Sequence, residues 1–126
     1  MSYFKLDEVT EEHLEGFWRV KSRQMSLNSV GNIFADFKCI RFQKKSFTAR
    51  NGKRRKGTWE IIREQEVIYN PQVKFHIGKT VIINSIITNL MEVSSTGLKL
   101  ILYFDTGLEL VLEKEKDKDL CKVKPS

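Results

Sequence analysis

Cysteine, proline and histidine each occur only twice in this chain of 126 residues, and each scarcity removes a class of function. Cys39 and Cys121 are widely spaced and form no CxxC pair, so neither a disulfide framework nor a zinc knuckle is expected. His13 and His76 fall on different elements, with no Cys, Asp or Glu at ligand spacing from either, so no metal site is expected. No serine sits in a nucleophile elbow and no glycine loop has phosphate-cradle spacing. The carboxylates Glu60, Glu64, Glu66, Asp105, Glu109 and Glu113 alternate with apolar residues, as the outer face of strands does. The expectation is a protein that is not an enzyme and carries no cofactor and no metal.

Long apolar runs are missing too. Residues 1–15 hold no stretch of the length that a signal peptide or membrane helix needs, and a run such as Val81-Ile82-Ile83 is far too short to span a bilayer. Together with the two unpaired cysteines this points to a reduced, cytoplasmic protein without a membrane span.

The composition that remains is that of one folded domain. Hydrophobic residues make up 40% of the chain and include 8 phenylalanines and 2 tryptophans, enough for a single core at this length. The formal charge of +6 and pI near 9.4 favour encounter with nucleic acid, anionic lipid or an acidic protein without specifying any of them. Three parts are expected: an N-terminal segment, 1–15, with a short helix capped by Thr10 and stopped by Gly16; a β-domain, 16–115; and a charged tail, 116–126.

From Phe17 onward β-branched and aromatic residues recur between turn residues, which predicts an all-β chain. Strands are expected at 17–22, 33–43, 46–50, 57–64, 67–69, 73–77, 80–87, 90–93, 98–104 and 108–114. Tight turns are expected at Asn51-Gly52, at Ser94-Ser95-Thr96-Gly97 and at Asp105-Thr106-Gly107, where Asn, Asp and Gly supply positive φ. Consecutive hairpins make an up-and-down antiparallel meander.

Alternation assigns faces. Leu98, Leu100, Leu102 and Phe104 share one side of their strand, and Leu108, Leu110 and Leu112 do the same across the turn, so both sides face a core. On the opposite sides Ile101, Tyr103 and Val111 are more apolar than a fully wet wall requires. The segment Thr80–Ile87 is apolar on both faces. A partner surface, a dimer contact or the N-terminal residues Phe4 and Leu6 folded over it would each account for that. In the segment 33–43, Asp36 and Lys38 share a face with Phe34, Ile40 and Phe42, and Ile33, Ala35, Phe37 and Cys39 form the other. The better placement puts the second set in the core and leaves Asp36 wet, because burying charge costs more than exposing a few apolar side chains.

Two short motifs stand out: Leu14-Glu15-Gly16-Phe17-Trp18 and, mid-chain, Gly57-Thr58-Trp59. In both a glycine stands two residues before a tryptophan at the start of a strand. With the short helical turn before the first, the chain length and the meander, the sequence resembles the calycins, and most nearly the small bacterial lipocalin-like domains. The resemblance implies an up-and-down barrel of about eight to ten strands. It further implies that Trp18 plugs one end of the barrel beneath a basic residue from the end of the last strand, here Lys114 or Lys116. The segment 23–34 is too short and polar for the two-helix lid of fatty-acid-binding proteins. The last strand offers no arginine or tyrosine to grip a carboxylate.

Two functions are therefore expected. The first is a lipocalin-like binding protein with a small apolar ligand in a barrel lined by Trp18, Trp59, Phe75, Leu100, Leu102 and Leu110. The second is an adaptor with a solid barrel that works from outside, as a homo-oligomer or bound to another protein or a nucleic acid. Its surface would be Ile83 with the basic run at Lys53, Arg54, Arg55 and Lys56, where clustered cations suit phosphates or another anionic surface.

Overall fold

The computed structural model describes residues 2–3, 5–28, 32–50, 54–62, 70–93 and 97–115. The start of the barrel is set by Gly16. Its φ of +132° lies where residues with a Cβ are rarely found, so glycine is required for the backbone to turn here, and the Lys114 side chain lies over the space a Cβ would take, its Cε 2.6 Å from that position. Just upstream, Glu11–Leu14 forms a single turn of helix, α1, with the Thr10 backbone N–H donating to His13 Nδ1 at 3.0 Å. Leu14 is fully buried, and its carbonyl accepts the Trp18 indole N–H at 2.7 Å.

Nine strands are present among the described residues: β1 (Ser2–Tyr3), β2 (Gly16–Gln24), β3 (Cys39–Phe42), β4 (Ser46–Arg50), β5 (Arg54–Ile62), β6 (Gln72–Ile77), β7 (Val81–Glu92), β8 (Leu98–Phe104) and β9 (Glu109–Glu115). All pairings are antiparallel. Strands β2 to β9 join neighbour to neighbour, and β2 pairs with β9, so eight strands close into a barrel with no free edge between first and last. The two residues of β1 pair outside that cycle with Met91 and Glu92 of β7. The all-β barrel with a short N-terminal helix expected from the alternation is thus the observed architecture.

Two irregularities bend the wall. In β2 the register shifts between Val20 and Ser22, and in β7 between Ile87 and Asn89. Each inserts a residue and reverses the inside–outside phase beyond it. Beyond the bulge in β2, Arg23 stands opposite the buried Leu110. The segments 80–87 and 90–93 read as separate strands in the sequence are one strand, β7, with a bulge in the middle.

One expected strand is replaced in part. Residues Ile33–Asp36 form a 3-10 turn, and the strand begins only at Cys39. Asn32 starts that turn by accepting the Phe34 N–H on its side-chain oxygen at 2.9 Å, a local bond that competes with extended structure. Strand alternation therefore does not hold there: Ala35, Phe37 and Cys39 are buried and Asp36 and Lys38 exposed as expected, but Phe34, Ile40 and Phe42, expected on the outer face with the two charges, are buried as well. Cys39 is disulfide-bonded. That corrects the expectation of reduced cysteines, because spacing along a chain sets no bound on which sulfurs a fold brings together; Cys121 lies outside the described residues. So do the expected strand at 67–69, the Asn51-Gly52 turn, most of the 94–97 turn and the tail from 116.

The core lies inside the barrel. Trp18, Phe34, Phe75, Ile87, Leu90, Leu100, Leu102, Phe104, Leu110 and Leu112 have no accessible surface. The N-terminal segment adds Val9 and Leu14, with Leu6 partly buried against the same cluster. Ser2 and Tyr3 lie beside Glu92 and Met91 at the C-terminal end of β7; Phe4, one of the two residues expected to fold over Thr80–Ile87, lies outside the described residues.

Candidate functional site

The interior comes first, since it is where the expected ligand would lie. Trp18, Phe75, Leu100, Leu102 and Leu110 are fully buried and Trp59 is 3% exposed, so all six expected lining residues do face the core. What the sequence reading missed is the residue between them. Phe34 projects inward from its 3-10 turn, with its ring centroid 4.6 Å from that of Phe75 on β6, 5.3 Å from Phe104 on β8 and 6.0 Å from Phe47 on β4. In a cycle of eight strands β4 and β8 stand on opposite walls, so a single ring bridges the lumen.

Phe34 is also held in place. The Arg23 guanidinium donates to the carbonyls of Ala35 and of Phe37, the latter at 2.7 Å. Asn32 Nδ2 donates to Thr106 Oγ1 at 3.0 Å, and Ser26 Oγ donates to the Thr106 carbonyl at 2.8 Å, tying the turn to the β8–β9 connection. Charged donors to carbonyls are among the stronger hydrogen bonds. The only sequence signal for this plug was the Asn32-x-Phe34 spacing, and it was obscured by a plausible strand pattern.

The outer wall carries two features. On the first, Arg50 stands directly opposite Arg54 in the β4–β5 register, and Thr48 opposite Lys56. Arg54, Arg55 and Lys56 are exposed, whereas Lys53 lies outside the described residues. Residues 37–59 include nine lysines and arginines and no Asp or Glu. Like charges facing each other across a strand pair are destabilising, and no carboxylate within this stretch offsets them.

The second feature lies on β6 to β8. Register places Gln72, Ile86 and Tyr103 in one row across three strands, with Asn84 and Asp105 near them. They line a cavity of about 220 Å³ together with Ser85, which is itself buried and donates to the Val73 carbonyl at 3.1 Å. Asn84 Oδ1 is buried without a hydrogen-bond partner, a lone case among the described residues. Ile83, expected on the partner surface, is partly buried against the core and opposite Phe75; the exposed apolar residues of β7 are Val81 and Ile82.

Among the described residues no three of His, Cys, Asp and Glu gather as a metal centre would require, and no helix is long and apolar enough to cross a membrane. No protein-family model, no curated protein and no solved structure matches this chain. An eight-stranded antiparallel closed barrel is compatible with the lipocalin-like resemblance of its Gly-x-Trp motifs.

Proposed function

We propose that this protein is a non-enzymatic binding module with a filled barrel that engages its partner through the outer wall. The placement of Phe34 carries this reading. A small apolar ligand in the lumen would have to displace a ring packed against Phe47, Phe75 and Phe104 and break the Arg23 and Asn32 bonds that hold its turn. A ligand of the lipocalin-like carrier kind would have to compete with that ring for the same part of the lumen.

The outer face of β3 to β5 supports an anionic macromolecule as partner. Arg50 facing Arg54, with Lys56 exposed on the same face, is an arrangement that costs stability in isolation and is relieved when an anion lies across it.

Titration with an uncharged apolar fluorescent probe such as N-phenyl-1-naphthylamine tests the filled interior. The wild-type chain is expected to show no stoichiometric binding. Phe34→Ala is expected to gain it, since a dry cavity lined by Leu and Phe accepts small apolar molecules. Saturable one-to-one binding by the wild-type chain, lost on Leu100→Trp, would establish the carrier instead.

A further inference from the structure

Antiparallel order puts four connections at one end of the barrel, those that follow β2, β4, β6 and β8. The exposed large apolar side chains gather there. Among the described residues they are Met25 and Leu27 after β2, Val81 and Ile82 at the start of β7 and Tyr103 near the end of β8, while Val93 lies at the other end. Leu27 is 95% exposed and Ile82 55%. Scattered singly, such residues need no explanation, but their concentration on one end of a small barrel does.

Basic side chains share that end. Lys38, Arg54, Arg55, Lys56 and Lys79 are exposed on it, against the exposed carboxylates Asp36 and Asp105. Arg55 keeps the inward phase of Gly57 and Trp59, and Val81 that of Ile83 and Ser85, yet both are exposed, so their strands run on past the core. Cation and apolar group thus stand together at the mouth. Continuing the Thr58–His76 pairing by two residues sets Lys56 beside Gly78, which brings the cations of β5 against the β6–β7 turn. At the opposite end Glu8, Glu11 and Glu12 are exposed with Lys44 and Lys45, so the signs are mixed there.

A nucleic acid would engage the cations and leave Leu27 and Ile82 in water, and an apolar protein groove would leave the cations without a role. A bilayer with anionic headgroups uses both. Apolar side chains enter the boundary between headgroups and acyl chains, while lysine and arginine stay among the phosphates. Being broad and flat, it also meets separate connections at once. We infer that this end of the barrel docks on an anionic membrane surface, with Met25, Leu27, Val81 and Ile82 dipping into it and the cations around them at headgroup level. The inference rests on the reading that the protein works from outside a filled barrel on an anionic partner, and it makes that partner a lipid surface.

Co-sedimentation of the full chain with vesicles tests this, using phosphatidylcholine mixed with phosphatidylserine and phosphatidylcholine alone. Binding is expected to the mixed vesicles only, and to fall with added salt. Leu27→Ser combined with Ile82→Ser should weaken it about tenfold, and Arg55→Glu about fivefold or more. Val93→Ser, at the other end, should leave it unchanged. These positions are exposed, so the variants read docking rather than folding. Leu27→Trp should add an emission that shifts to the blue on mixed vesicles, since Trp18 and Trp59 are already buried. No binding to mixed vesicles, binding indifferent to the Leu27 and Ile82 substitutions, or tighter binding to duplex DNA that those substitutions leave untouched would overturn the inference. Retention on a polyanion that Arg54→Glu weakens, without any vesicle binding, would remove the membrane and leave the outer-wall reading standing.

Discussion

Lys114 Nζ lies 5.4 Å from the ring centroid of Trp18, placing the last barrel strand's ammonium over the tryptophan that closes the first strand's end. The same ammonium donates to the His13 carbonyl at 3.4 Å, and the lysine side chain crosses the space that Gly16 leaves empty. One lysine thus joins β9, β2 and the helical turn before β2. A basic residue at this place is what the lipocalin-like resemblance implied, and Lys114 fills it; Lys116 lies outside the described residues.

Burial holds the Lys114 ammonium below its usual value of 10.5, opposed by the nearby Glu15 carboxylate. A lysine with a lowered pKa in the folded state carries fewer protons than in the unfolded chain between that pKa and 10.5. Its contribution to stability therefore rises with pH across this window and is lost as pH falls through the folded value. The urea midpoint of wild type relative to Lys114→Met should increase from pH 8 towards pH 10.5. A flat difference over that range would show that the lysine is not desolvated.

Gly57 is a second glycine that the fold cannot replace. A Cβ there would lie 2.1 Å from the His76 carbonyl oxygen and 2.7 Å from Phe47 Cε1, forcing β5 away from β6 or disturbing the ring beside Phe34. Gly57→Ala is expected to destabilise by roughly 1–3 kcal/mol, measured by chemical denaturation. An unchanged midpoint would mean that the β5–β6 pair relaxes freely.

Asn84→Leu should move the other way. Replacing a half-buried amide whose oxygen has no partner with an apolar side chain removes a desolvation cost, and a gain of about 1 kcal/mol is expected. Thermal melts of both proteins would show it, and a destabilised Asn84→Leu would argue that the amide serves the fold.

Arg54→Glu converts the Arg50–Arg54 pair from like to opposite charge. Stability is expected to rise by about 0.2–1 kcal/mol. Retention on an immobilised polyanion should fall, with a shallower dependence on salt. Retention that does not change would remove the basic strands from the partner surface.

How far the sequence carries the reading differs from element to element. Strands β4 and β8 are read from it residue for residue, Ser46–Arg50 and Leu98–Phe104, because both alternate cleanly between one buried and one wetter face. The segment 33–43 misleads: its apolar residues fit a strand, and the side-chain bond from Asn32 to the Phe34 N–H turns its first four residues into a 3-10 turn. The bulge in β2 is equally silent, since nothing in Val20-Lys21-Ser22 marks the extra residue that turns Arg23 towards the carbonyls of Ala35 and Phe37.

By itself the sequence determined the all-β class, the closing glycine–tryptophan motifs and the inward faces of β8 and β9, since period-two alternation and the special needs of glycine are local properties of the chain. Only the tertiary structure decided what occupies the barrel and where polar groups converge. Phe34 reaches Phe47, Phe75 and Phe104 across the lumen, and Gln72, Asn84 and Tyr103 meet from three different strands. Such meetings depend on strand register and on bulges, which set distances between residues far apart in the chain.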